Sequence, residues 1–259
     1  MRASVASLVC CVVFGTAVAR GDELIDLTAF DEIMAEAARS ASVFDGVPIQ
    51  PVAAANGGGR RFYLTGMLGE TFATLRELYY ADDFDGAGIN RSVITAGGAA
   101  GVAFERANGR LRLEVEGRGR DDVTTGFPDG PYWSARDGWS ALVNLWRDYA
   151  VTDRTDVYLG GGIGGGGYRY DFAIIAGPGF ASTADTPVAA FAWQVGGGVI
   201  WNLTDRVAFD VGYRFFSIDQ TQVTYTFTSP TEFVSLPQQF TASELLFGLR
   251  IYEPFRRWR

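Results

Sequence analysis

The run Arg110-Leu111-Arg112-Leu113-Glu114-Val115-Glu116-Gly117-Arg118-Gly119-Arg120 alternates without a break. Every even position is charged and every odd one is apolar or glycine. Successive side chains of a β-strand point to opposite faces, so an extended segment of this kind has one charged wall and one apolar wall. A soluble sandwich turns its polar wall to water. A membrane barrel turns the apolar wall to lipid and the polar wall to its lumen. The rest of the chain decides between the two.

Alternation of the same period continues from Arg60 onward. It predicts eight strands, at about 61–74, 92–106, 110–120, 138–149, 156–170, 189–202, 206–218 and 241–252. The connections alternate in length, long near 75–91, 121–137, 171–188 and 219–240, and short near 107–109, 150–155 and 203–205. Long loops at one end and tight turns at the other are the habit of an outer-membrane barrel. Asn108-Gly109 suits a type I′ hairpin, and Thr152-Asp153-Arg154 and Thr204-Asp205-Arg206 are polar reversals. Parity puts Leu111, Leu113, Val115, Val143, Leu145, Val195, Val199, Phe209, Val211, Leu245, Phe247 and Leu249 on the apolar, lipid-facing side. An even number of strands closes the sheet and removes its edges, as hydrocarbon requires.

The segment before residue 60 reads differently. Arg2, the apolar stretch Val5–Phe14 and Ala17-Val18-Ala19 have the order of a secretory signal over residues 1–19. Cys10 and Cys11 both lie within it, so the mature chain is expected to hold no thiol. Residues 20–59 form an extension: a short amphipathic helix over Thr28–Ser40, capped by Thr28 and Asp31, then a linker over Pro48–Gly59. No later stretch is long and apolar enough to be a transmembrane helix.

One stretch carries a resemblance. Ala192-Trp193-Gln194-Val195-Gly196-Gly197-Gly198-Val199, Leu203-Thr204-Asp205 and Phe209-Asp210-Val211-Gly212-Tyr213-Arg214-Phe215 resemble the sixth and seventh strands of small porin-family outer-membrane barrels, relatives of outer-membrane proteins A and X. Leu246-Phe247-Gly248-Leu249-Arg250-Ile251-Tyr252 is similar to their last strand. The resemblance implies an all-β, eight-stranded antiparallel up-and-down transmembrane barrel over residues 60–255. It also implies a periplasmic N-terminus in a Gram-negative-type envelope and insertion by the barrel-insertion machinery. Such chains usually end on an aromatic residue. This one continues past Phe255 into Arg256-Arg257-Trp258-Arg259, a tail outside the usual insertion signal.

An eight-stranded barrel is just wide enough for side chains to fill its interior. The expected lumen network is Arg110, Arg112, Glu114, Glu116, Arg118 and Arg120, interlocked with Asp210, Arg214, Glu244 and Arg250, and joined by Glu70 and Glu105. Charges stripped of water need partners, so this pattern predicts a paired, closed lumen rather than a conducting one.

Other motifs carry less. Gly160, Gly162 and Gly165 spell a dinucleotide-type fingerprint, but a strand-like Tyr168-Arg169-Tyr170 follows where that motif needs a helix. The glycines are expected instead to let aromatics such as Trp146 or Trp193 pack closely. Aromatics gather near both strand ends. Tyr79, Tyr80, Tyr132, Trp133, Tyr168, Tyr170, Phe215 and Phe216 lie on the loop side, and Phe62, Tyr63, Tyr149, Trp201 and Tyr252 on the turn side, as two girdles would. Asp82, Asp83 and Asp85 lack the twelve-residue calcium pattern and read as a solvated loop.

Composition narrows the function. The net charge of -8 offers no basic stripe for nucleic acid. There is no histidine, hence no Ser-His-Asp or Cys-His constellation and no histidine metal ligand. Glu114 and Glu116 share a face but are flanked by arginines, which keep both ionised rather than split as acid and base. The expectation is a non-enzymatic outer-membrane barrel serving envelope integrity, without cofactor or metal, in contact with lipid and free to bind through its loops. Two alternatives stay open: a narrow channel for ions or small solutes, and a soluble, secreted lipocalin-like ligand-binding barrel. An outer-membrane enzyme would need a polar site at the loop end.

Overall fold

The computed structural model describes residues 59–77, 88–106, 108–126, 132–175, 181–228 and 231–255. The expected signal, N-terminal helix, most of the linker, Tyr79, Tyr80, the acidic loop and the Arg256–Arg259 tail lie outside them. All described secondary structure is β: β1 (Arg60–Glu77), β2 (Gly88–Arg106), β3 (Gly109–Arg120), β4 (Val123–Gly126), β5 (Tyr132–Ala150), β6 (Thr155–Ile175), β7 (Ala181–Asn202), β8 (Val207–Thr228) and β9 (Thr231–Tyr252).

These strands form one antiparallel ring. β1 pairs with β2 and β9, each later neighbour pairs in turn, and β3 pairs with β5 to close it. β4 is the continuation of β3. Arg120 lies opposite Gly138 and Val123 opposite Ala135, with two residues between on each side. Asp137 adopts φ 54° at this irregularity, and its N–H donates to Asp122 Oδ1 at 3.1 Å. The barrel therefore has eight staves.

The two five-residue turns are built alike. In Val151–Thr155 and Leu203–Val207 the second residue is threonine, and its Oγ1 accepts from the N–H of Arg154 and of Arg206, at 3.3 and 3.2 Å. The hydroxyl stands in for a missing backbone acceptor, which is why Thr-Asp-Arg recurs at both. Gly109, at φ 120°, supplies the left-handed position of the β2–β3 turn.

At the other end the strands run on where loops were expected. Residues 171–175 and 181–188 extend β6 and β7, and 219–228 and 231–240 extend β8 and β9. The periodicity breaks on β8 between Ile218 and Thr221, where buried positions change from even to odd; β7 keeps its even residues inward throughout, and the register shift between Thr183 and Ala192 is the same break met from the other side. A one-residue slip exchanges inward and outward positions, so a strand that continues through one no longer reads as one alternation. Between β7 and β8 the ladder is interrupted over 184–191 and 219–225. Pro187, with no N–H to give, lies in this seam.

The lumen is filled in tiers. Near the turns Tyr63, Ala103, Trp146, Tyr158, Ile200, Ala208 and Tyr252 are buried together. Met67, Ala99 and Leu246 form a small middle cluster. Toward the loop end a larger one includes Leu75, Tyr168, Tyr170, Phe216, Ile218, Val223, Tyr225 and Phe240.

Candidate functional site

β3 supplies half of the charged lumen because its even residues all point inward. Arg110, Arg112, Glu114, Glu116, Arg118 and Arg120 are each buried, as are Asp210 and Arg214 on β8 and Glu244 and Arg250 on β9. Asp148 on β5 and Asp156 on β6 are buried with them. Among the described residues six buried arginines thus meet six buried carboxylates, and their charge sums to zero.

The pairs form two linked groups. Near the turns, Arg112 Nε donates to Asp148 Oδ1 at 2.8 Å, Arg110 Nε lies 3.5 Å from Asp148 Oδ2, and Arg110 also pairs with Asp156. Arg250 Nη2 donates to Asp210 Oδ2 at 2.8 Å. Further along, Arg118 Nε lies 2.6 Å from Glu116 Oε1, Arg214 pairs with Glu116, and Glu244 receives both Arg118 and Arg120, the latter at 2.8 Å. Glu114 joins the groups: it accepts from Trp146 Nε1 at 2.6 Å and from the Tyr63 hydroxyl at 2.7 Å, and lies 3.4 Å from Arg112. Asn144 Nδ2 bridges Glu114 and Glu116, at 3.2 and 3.0 Å, and Gln194 donates to Asn144 Oδ1 at 2.7 Å.

Aromatic rings cover the guanidinium faces. Arg214 lies over Trp146 at 4.7 Å, Arg112 over Tyr158 at 5.2 Å, Arg250 over Tyr63 at 5.1 Å and Arg120 over Phe216 at 4.0 Å. Stacking satisfies the face of each cation while its edge is engaged by carboxylates. Where the charged tier meets the apolar one, the space between Arg120, Tyr168, Ile218 and Phe240 has a volume of only about 10 Å³, room for no more than one water.

Two expected members of the network lie elsewhere. On β1 the inward residues are odd, so Glu70 faces out, where Ser92 Oγ donates to it. Glu105 is exposed at the end of β2. The girdles also need correction. Tyr63, Tyr252, Tyr168, Tyr170 and Phe216 are buried in the lumen, leaving Phe62, Tyr149, Trp201 and Tyr132 exposed on the outer wall. Parity, not position along the strand, decides which aromatics face out. Among the glycines, Trp146 sits against Gly160, and Trp139, rather than the expected Trp193, sits against Gly165 and Gly167. β6 runs straight through all of them, which removes the strand-to-helix context of a dinucleotide site.

The outer wall settles the class. Leu113, Val115, Val143, Leu145, Val195, Phe247 and Leu249 are all exposed, Val115 by 62%. Leu111, Val199, Phe209, Val211 and Leu245 lie on the same face, partly covered by neighbours. A closed ring with its charges inside and its leucines outside can face only hydrocarbon. The molecule is an outer-membrane β-barrel. The lipocalin-like alternative, which needs Leu111, Leu113 and Val115 turned into a ligand cavity, is thereby overturned.

No family model matches this chain, and no curated protein matches it in sequence. Solved structures similar to it include Neisserial surface protein A (15% identity over 74% of this chain and 98% of that one, TM-score 0.43). Others are the outer membrane protease OmpT from Escherichia coli (9%, 75% and 97%, TM-score 0.45) and the outer membrane protein OprG from Pseudomonas aeruginosa (13%, 75% and 96%, TM-score 0.41). Likeness at this level carries no argument about function; the barrel is read from its own strand pairing and wall polarity.

Asp148, Asp156, Tyr63, Trp146 and Tyr158 complete the network beyond the charges expected from sequence. Asp148 shares the even parity of Ser140 and Asn144 on β5, which was signal enough. Asp156 is the second residue of β6 and the first of the strand expected there, directly after a polar turn. With Glu70 and Glu105 outside the lumen, the expected residues leave six arginines facing four carboxylates, and Asp148 and Asp156 restore the balance.

Proposed function

We propose that this protein is a non-enzymatic barrel with a sealed lumen that contributes to the integrity of the outer membrane and presents its long-strand end for binding. The observation that carries this reading is the neutral network of six arginines and six carboxylates across the lumen, with an aromatic tier above it. Every arginine in that network has a carboxylate partner, so no carboxylate is left free to act as a base and no charged ring lines an open path. The tight turns and both ends of the ring lie together, which supports a periplasmic turn end and N-terminus. The extended strands β6 to β9 would then rise beyond the outer leaflet. Insertion would pass through the barrel-insertion machinery, and the partner of the loop end is a surface or ligand of unassigned chemistry.

Purified barrel reconstituted into planar bilayers tests this. The expected result is no steady conductance at neutral pH in salt. Stable, ion-selective openings would establish the channel reading instead.

A further inference from the structure

Against the neutral lumen, one arginine on the outer wall has no acid partner. Arg147 is an odd residue of β5 and so faces outward. It lies between Leu111 of β3 and Leu159 of β6, and Leu159 is 58% exposed on the same wall. Its guanidinium rests on the Tyr149 ring, 5.0 Å from the centroid. Its Nη1 is buried without any hydrogen-bond partner, and among the described residues no carboxylate pairs with it. Some lumen guanidinium nitrogens also lack hydrogen-bond partners, at Arg112, Arg118, Arg120 and Arg214, but each of those side chains holds a carboxylate through another nitrogen. Arg147 alone of these is left with an aromatic face and two leucines.

Its neighbour on the wall is a second cation. The register runs Arg106, Gly109, Tyr149 across β2, β3 and β5, one rung nearer the turns than Leu111 and Arg147. Arg106 is exposed, and its guanidinium donates only to the carbonyl of the adjacent Glu105, at 3.1 Å. Gly109 between them has no side chain to fill the gap. On the same wall an open groove of about 710 Å³ runs over Phe62, Leu64, Ala100 and Val102, bordered by Phe255 and by Glu253, whose carboxylate accepts from the Phe62 N–H at 3.0 Å. It stops two residues short of Arg60 on β1.

We propose that this face binds the phosphate of an anionic phospholipid in the adjoining leaflet, held by Arg147 and Arg106 with Tyr149 beneath, and one acyl chain in the groove. Three arguments converge. An arginine on the lipid face costs several kcal/mol at the bilayer midplane and about nothing at the interface, so Arg147, three residues from the end of β5, belongs at headgroup level. A guanidinium presents paired N–H donors that match a phosphate, and among the described residues no hydrogen bond engages that of Arg147, whose buried Nη1 would be satisfied if the side chain turned outward to a headgroup. The opposite end of the barrel carries the carboxylates Asp121, Asp122, Asp137 and Asp219 without arginine partners among the described residues, besides Asp171 and Asp185 paired to Arg136 and Arg169, so it offers an anionic headgroup less. The inference does not depend on whether the lumen conducts.

Native mass spectrometry of the detergent-solubilised barrel, titrated with dioleoylphosphatidylglycerol or dioleoylphosphatidylcholine, reads it directly. The wild type should retain phosphatidylglycerol in preference to phosphatidylcholine, by about fivefold for each arginine engaged. Arg147→Gln should lose one such factor and Arg106→Gln/Arg147→Gln both. Arg147→Lys, with charge but no fork, should fall between. Arg154→Gln, on the β5–β6 turn, should leave the preference unchanged. Equal retention of the two lipids by the wild type would overturn the proposal without recourse to any variant. So would a preference that survives the double substitution, or one that Arg154→Gln reduces equally.

Discussion

The two halves of the barrel solve opposite problems with the same strands. In the half near the turns β8 sends Val207, Phe209, Val211 and Phe215 outward and buries Asp210 and Arg214. Past the irregularity at Ile218–Thr221 the same strand buries Val223 and Tyr225 and turns Gln222 and Thr224 outward. The outer surface is apolar where it meets hydrocarbon and polar where it meets water, and the interior takes whatever the exterior refuses. A lumen filled with ion pairs is thus not a choice made for stability. Buried pairs roughly break even against apolar packing of the same volume. It is what remains when every apolar position has been given to lipid.

The lower half should fail by losing a partner, the upper half by losing a fit, and the largest effect belongs to the former. Glu244→Ala removes the carboxylate shared by Arg118 and Arg120, both buried. Arg120 is then left without a carboxylate and Arg118 keeps only Glu116, and the expected loss is about 3–5 kcal/mol. The midpoint of denaturant unfolding in lipid vesicles, together with the heat-modifiable gel shift, measures it. A loss below about 1 kcal/mol would mean that water reaches the lumen and screens the charges, and would weaken the sealed-lumen reading with it.

In the upper half, Tyr225→Phe deletes a hydroxyl that lies 2.8 Å from the Tyr170 hydroxyl and accepts from Gln238 Nε2 at 3.1 Å. Both rings stay, so packing is kept and one neutral hydrogen-bonded node is lost. The cost should be about 1 kcal/mol, well under that of Glu244→Ala. Equal losses at the two sites would erase the distinction between the halves.

This contrast also explains what could be read from sequence. The membrane-level strands were legible because a single period of two holds from one end to the other, and β3 shows it with no exception. The ring closure followed from the turns, where Asn-Gly and the two Thr-Asp-Arg reversals are chemically explicit. The strand extensions were not legible, because on β5 and β8 the inward parity changes from even to odd just where the outside solvent changes from lipid to water, while β7 and β9 beside them keep theirs. Glu70 was misplaced for a different reason: it was assigned by its charge, whereas β1 turns its odd residues inward and leaves Glu70 on the outer face between Leu68 and Phe72, where Ser92 donates to it. Asp156 was missed because an Asp one residue after a turn is ambiguous, and the expected lumen, with Glu70 and Glu105 counted in it, was already neutral without it.

The smallest effect should come from the outer surface of the upper half. Arg169 donates to both carboxylate oxygens of Asp185, at 2.8 and 2.9 Å, but both side chains are about half exposed. The guanidinium holds the Asp185 carboxyl below its ordinary value, chiefly through those hydrogen bonds. A carboxyl whose folded value is lowered stabilises the fold above its unfolded value, and that contribution disappears as pH falls through the folded one. Asp185→Asn should therefore cost less as pH falls through that lowered folded value, and nothing once the carboxyl is protonated in the folded chain. At pH 7 any difference should be at the limit of measurement and should vanish in high salt, since water and ions screen the pair. A salt-resistant loss at pH 7 comparable to that of Glu244→Ala would show that this wall is shielded from water after all, and the division of the barrel into a lipid-facing and a water-facing half would have to move upward past Asp185.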